Sequence, residues 1–314
     1  MNALGFGAGF RLNRRGKVPP VFDFTGGALP PGASLTRASA GTRCDASGAL
    51  VSESADVARF DYDPLSHALK GLLIEPAATN AALASQDWTQ PSWTASNVTP
   101  AATTLTENTA SAVHRMQLPS GNRVLTSGVP VTMSAIAAEL PGSARRWFGM
   151  TLGTMGFAAQ PSATFDLASG TVPQVANGSA GCAAAPGGWL CWLSAVPNAS
   201  VATAAERYFV SNAGGVPMPS YAGDGVSGLT VSEVQFEAGA VPTSRVRSGA
   251  SAGARAADVL TLDWGAKGIP DGAITVRFSF DDGSTQDVAA TVSGGLASVP
   301  ANLIRPWLTR AERV

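Results

Sequence analysis

Charge is the scarcest commodity in this chain. Of 314 residues, 14% are Asp, Glu, Lys or Arg, against about 25% in an ordinary globular domain. Lysine occurs only at Lys17, Lys70 and Lys267. The net charge is −1 and the pI about 6.1, with no clustered basic face of the kind that displaces counterions from phosphates. No nucleic-acid partner is expected. Cysteine is also sparse: Cys44, Cys182 and Cys191, with no C-x-x-C pair, and the histidines His67 and His114 stand far from all three. A structural zinc site needs about four ligands at short spacings, so none is expected. Cys182 and Cys191 have the spacing to face each other across a hairpin, although an odd cysteine count suits reduced, cytoplasmic assembly. No apolar run approaches the ~18–20 residues of a membrane span. The N-terminal charges follow a short, glycine-broken apolar stretch rather than precede it, unlike a signal peptide. A chain made in the cytoplasm, without a membrane partner, is expected.

Turn formers are abundant instead. Glycine (35) and proline (21) punctuate short runs rich in β-formers, and 3.6-residue periodicity is almost missing. Strand-like runs fall at 129–136, 147–152, 163–167, 189–195, 207–210 and 229–237. In VSEVQFEAG the alternation slips by one residue near Glu233, as a bulge requires. The pattern predicts an all-β chain, a jelly-roll β-sandwich with appendages. Its expected division is an N-terminal docking arm over 1–33, a collar-like β segment over 34–85, a lectin-like jelly roll over 86–258 and a small C-terminal β unit over 259–314. Within 34–85, GLLIE reads as a buried strand and PAATNAALAS as a helical turn or two. In the last unit, Ile274, Val276, Phe278 and Phe280 alternate with polar partners ahead of an Asp282-Gly283 turn, a strong hairpin signal.

Several blocks in succession carry a resemblance. RASAGTRCDASGALV (37–51), VARFDYDP (57–64) and GLLIEPAATN (71–80) resemble a segment of phage tail, tail-fibre and head-spike proteins, including those of gene transfer agents. Trp88 and Trp93 in DWTQPSWTASNVT are similar to the entry of a concanavalin A-like, carbohydrate-binding jelly roll. FDLASG, GGWLCWLSA, VQFEAGAVPTSRV and RAADV resemble its later strands and exit. The resemblance spans about residues 34–260. One departure is EPAATNAAL, where relatives often carry EEARTNLL. What it implies is an adhesin on the surface of a virion or phage-like particle, made in the bacterial cytoplasm and binding host capsular or surface polysaccharide. It also implies assembly with other particle proteins and with itself, as a trimer or pentamer. A purely architectural spike or collar subunit is the alternative, and a depolymerase a more distant one.

The chemistry available fits binding better than catalysis. Glycoside hydrolysis needs two carboxylates about 5–9.5 Å apart. The pairs Asp61/Asp63, Asp281/Asp282 and Glu233/Glu237 all sit where turns or strands give them structural work, and Ser111 with His114 lacks a third triad member. No catalytic residue is assigned, and no enzyme is expected. Sugar binding asks for an aromatic face with polar groups around it. The candidates are Trp147 with Arg145 and Arg146, then Trp192 (opposite in direction to Trp189 on one strand) and Tyr221. Arg11, Arg14, Arg15 and Lys17 are the candidate particle-docking residues. No cofactor is expected except possible calcium, through Asp87, Glu107, Asp166 or Asp224.

Overall fold

A computed structural model describes residues 20–119, 123–201 and 205–314. The docking candidates Arg11, Arg14, Arg15 and Lys17 lie outside them. The described residues form strands and turns and no helix, so the chain is all-β. All six runs singled out in the sequence are strands: Val131–Glu139, Trp147–Leu152, Ser162–Asp166, Gly188–Ala195, Glu206–Ser211 and Gly228–Ala238. The 76–85 segment is not helical. It holds the short strand Ala78–Asn80 followed by turns, because Asn80 is buried and its amide bonds the Val234 and Val246 carbonyls instead of a helical turn.

The strands build two units, and the second is inserted into the first. The first has one sheet ordered Thr285–Val292, Gly272–Phe280, Trp307–Arg313, Leu69–Leu73 and Phe60–Tyr62, with Val21–Asp23 also paired to Trp307–Arg313. A three-stranded sheet of Ala33–Thr36, Val259–Asp263 and Leu296–Val299 accompanies it. Phe22, Phe24, Leu72, Leu262, Trp264, Phe278 and Leu308 lie within one buried apolar cluster, and the Phe22 and Trp264 rings meet edge-on at 5.0 Å. The segments 34–85 and 259–314, separate in the sequence reading, therefore share sheets and a core. Nor is 1–33 wholly an arm: VFDF places Phe22 and Phe24 fully inside, an alternation that the neighbouring prolines and glycines disguise.

The second unit spans 78–255. Ala78–Asn80 enters it beside Gly253–Arg255, which leaves it, the two paired antiparallel. One six-stranded sheet runs Ser179–Ala185, Gly188–Ala195, Val131–Glu139, Gly228–Ala238, Thr104–Glu107 and Val98–Pro100. The other runs Thr171–Ala176, Ser162–Asp166, Trp147–Leu152, Glu206–Ser211, His114–Leu118 and Thr94–Ser96. Between them lie Met133, Phe148, Met150, Phe165, Leu193, Leu229 and Phe236, with Trp88 and Trp93 edge-on to each other and to Tyr208. Two of the crossings between the sheets are tight corners, each turned by an asparagine in the left-handed region: Asn97 (φ 57) and Asn177 (φ 55). Asparagine tolerates that region better than other side chains, and each amide bonds a carbonyl, of Val113 and Gln160 respectively. The slip near Glu233 is present. Glu233 has φ 50, and the register with Val131–Glu139 shifts between Ser134 and Ile136.

Candidate functional site

The two units meet in a buried cluster of charge assembled from the sequence blocks described above. Arg37 opens the first block, Arg59 lies in VARFDYDP, Glu75 ends GLLIE, and Arg255 and Asp258 belong to RAADV. Asp258 accepts from Arg37 at 3.1 Å and from Arg59 at 2.6 Å, and its second oxygen also takes the Glu75 amide. Glu75 pairs with Arg59 at 2.9 Å and receives the Ser244 amide and hydroxyl from the second unit. Arg255 stands 3.5 Å from Glu75. The side chains of Arg37, Arg59 and Asp258 have no exposed surface. Gly41 lies beneath three arginines: a Cβ there would come within 3.1–3.3 Å of Arg37, Arg59 and Arg255. Burial alone would raise the Glu75 carboxyl, but Arg59, Arg255 and the Ser244 donors outweigh it and hold it below its ordinary value.

Beside this joint runs a groove of about 190 Å³ between the units. Its apolar wall is the outer face of the second unit's sheet, Ile136 and Leu190 with Ala183–Ala185. Its polar wall comes from the first unit: Arg43, Tyr62, Lys70 and Trp307. Asp61 sets the indole in place, accepting the Trp307 ring N–H at 2.6 Å and the Cys44 amide at 2.7 Å. Burial nevertheless pushes the Asp61 carboxyl upward. The Lys70 ammonium sits 2.9 Å from the Trp307 ring centroid, a cation–π contact. Lys70 is half-buried, and burial lowers its pKa against the pull of Asp61 and Asp281. Arg43 is committed to Glu53 at 2.6 Å. The groove is thus lined by an indole with a cation on one face and by an apolar wall, in a space smaller than the ~300–1,000 Å³ of typical ligand clefts.

The sequence candidates fall elsewhere. Trp147 is half-buried, with the exposed Arg146 guanidinium 4.5 Å from its ring centroid and Gly214 packed closely on its six-membered ring. Arg146 also reaches Asp166 at 3.2 Å. Arg145 does not join them. It turns to the buried Glu107, which takes two of its N–H groups at 2.8–2.9 Å and the Tyr221 hydroxyl at 2.6 Å. Arg145 and Tyr221 therefore come together as a structural pin. Trp192 lies on the outer sheet face over Gly181, while Trp189 packs against the core, so the two do point opposite ways. Among the calcium candidates, Asp224 binds Ser227, Asp87 binds Thr89 and Gln90, Asp166 binds Arg146, and Glu107 is the pin just described. No group of three or more potential metal ligands occurs among the described residues.

The carboxylate pairs have local partners. Asp63 closes a turn on Ser66, Asp281 pairs with Arg305, Asp282 bonds Ser284, Glu233 pairs with Arg247, and Glu237 holds Thr243. His114 is buried with its ring nitrogens facing the Asn97 and Tyr221 carbonyls, not Ser111. Sequence reasoning missed the groove residues Lys70, Tyr62 and Trp307, since Trp307 pairs with Leu73 only through a strand contributed by the far end of the chain. Compared with known protein families and with curated proteins, the chain matches no family model and no curated sequence.

Proposed function

We propose that this chain is a non-enzymatic, carbohydrate-binding protein on the surface of a phage-like particle, a head spike or tail fibre. In this reading 78–255 is its lectin-like jelly roll, and the groove between the units takes one sugar of a host surface polysaccharide. The observation that carries the reading is the Trp307 indole, fixed by Asp61 and accompanied by Lys70 and Tyr62, in a groove of monosaccharide size. With Lys70 on one face of the indole, a pyranose offers its C–H groups to the rest of the ring and its hydroxyls to the polar groups around it. Binding at one small site is weak, and several copies about one axis on a particle supply avidity. Structural tasks for the carboxylates, including both oxygens of Asp61, favour a binder over a hydrolase.

The test is calorimetric titration of the full chain with purified capsular and surface polysaccharides. The panel also includes Tyr62→Ala, Trp307→Phe, Trp147→Ala and Trp192→Ala. The groove variants should weaken binding on the order of tenfold, about 1.4 kcal/mol, with the other two near wild type. Loss at Trp147 or Trp192 alone would move the site to the outer faces. Failure of every polysaccharide to bind, with incorporation into particles intact, would leave the architectural reading.

A further inference from the structure

The apolar wall of the groove is the tip of a hairpin, and that hairpin carries two of the chain's three cysteines. In the register of Ser179–Ala185 against Gly188–Ala195, Cys182 lies directly opposite Cys191. Their sulfurs stand 3.1 Å apart. Directly opposed antiparallel residues have Cα atoms about 4.5–5.5 Å apart, within the ~4.4–6.8 Å that a disulfide spans. The backbone already has bridging geometry, and the sulfurs need to close by only about 1 Å to reach the bonded length of ~2.0 Å. Cys191 is fully buried and Cys182 half-buried, so Cys182 is the more accessible of the two. Cys44 lies on Gly41–Cys44 in the first unit and does not compete. Beyond the pair, Ala183–Ala185, Pro186 and Leu190 line the groove, while Cys182 and Cys191 face the core on the other side of the same two strands.

We propose that Cys182 and Cys191 form a covalent modification site, joined as a cross-strand disulfide when the folded protein meets a small-molecule disulfide such as oxidised glutathione. The bond closes the hairpin at its base and stiffens the groove wall, whatever the groove binds. The Cys182 thiol loses its proton, attacks one sulfur of the small disulfide and expels the first small thiolate, which takes up a proton. Cys191 then gives up its proton and attacks the Cys182 sulfur of the mixed disulfide, expelling the second small thiol. Two protein S–H bonds are exchanged for one S–S bond, and one small disulfide is reduced to two thiols. In a reducing cytoplasm the pair stays as thiols, and on a particle outside the cell it oxidises. Burial, then the neighbouring Cys182, hold the Cys191 thiol well above its ordinary range, so the second step quickens as pH rises.

The experiment treats the full native chain with oxidised glutathione, removes the reagent, unfolds the chain in guanidinium with excess iodoacetamide to block remaining thiols, and measures intact mass and peptides. The expected product has one blockable thiol, at Cys44, in place of three. It is lighter than the thiol form by about 2 Da before blocking, carries no glutathione and yields a linked 182/191 peptide that dithiothreitol separates. Amides of residues 183–190 should exchange more slowly in the oxidised form, on the order of tenfold. Cys182→Ser should show no bridge. Three thiols surviving in the native chain, a persistent glutathione adduct on Cys182, or bridging only after urea unfolding would each overturn the proposal. The polysaccharide titrations stand apart, because the bridge can form in a chain that binds no sugar.

Discussion

At the scale of single residues, Asp258 and Lys70 do the most, and neither stands out in the sequence. Asp258 meets Arg37 and Arg59 across 221 and 199 residues of chain, separations that no local pattern reveals. The blocks containing these residues were legible, but not that they converge. Removing one partner of a buried ion pair leaves uncompensated charge, at about 3–5 kcal/mol. Asp258→Ala should therefore lower stability by about 3–5 kcal/mol in urea unfolding, and a loss below 1 kcal/mol would show that water replaces the carboxylate. Glu75 makes the joint sensitive to acid. Its folded pKa lies below the ordinary 4.5, so its contribution is complete above that value and is lost as pH falls through the lower folded one. Unfolding midpoints followed from pH 7 to pH 3 should fall mainly below about 4.5, and this fall should be blunted in Glu75→Gln. Under the proposed reading, Lys70 bears on sugar binding more than on the fold. If the groove takes an acidic sugar, its carboxylate meets the ammonium, and such charged hydrogen bonds contribute about 1.5–3 kcal/mol. Lys70→Met should then weaken uronate-containing polysaccharides roughly tenfold or more and leave neutral ones unchanged; equal loss on both would assign Lys70 to support of Trp307.

At the scale of elements the sequence was most informative where neighbours in chain are neighbours in space. Ile274, Val276, Phe278 and Phe280 are all buried on Gly272–Phe280, and Asp282 and Gly283 make its turn, with Gly283 at φ 81. The bulge at Glu233 was visible because a bulge shifts alternation within one strand. Phe22 and Phe24 went unnoticed because a three-residue strand has too little alternation to detect, and its partner Trp307–Arg313 lies at the other end of the chain. The asparagine corners were also hidden, as Asn is equally common in ordinary turns. They can be tested by contrast. Asn177 combines a left-handed backbone with a hydrogen bond that its side-chain amide donates to the Gln160 carbonyl at 2.9 Å. The backbone penalty for other L-residues is about 1–2 kcal/mol, so Asn177→Ala should lower thermal stability clearly and Asn177→Gly much less. Equal losses would assign the effect to the amide.

At the scale of the whole molecule, the insertion of 78–255 into the first unit decides what can fold alone. In the sequence, 259–314 looks like an appendage because its hairpin is locally complete and follows a turn-rich stretch. Its last strand, Trp307–Arg313, pairs with Gly272–Phe280, with Leu69–Leu73 and with Val21–Asp23. The partner of Ala33–Thr36 is Val259–Asp263. A chain ending at residue 258 would leave Leu72 and Ile74, both buried in the first unit's core, without Trp264, Phe278, Phe280 and Leu308. It would keep Asp258 but not the sheet that carries Arg59 and Glu75 toward it. The second unit keeps both of its sheets and its own core. Truncation after 258 is therefore expected to abolish amide protection over 60–74 while leaving 131–139 and 228–238 protected, as measured by hydrogen exchange on the soluble fragment. Protected amides over 60–74 in that fragment would mean that the first unit's N-terminal strands need no C-terminal partner. Loss of protection in both regions would mean that the joint, and not each core, holds the second unit together.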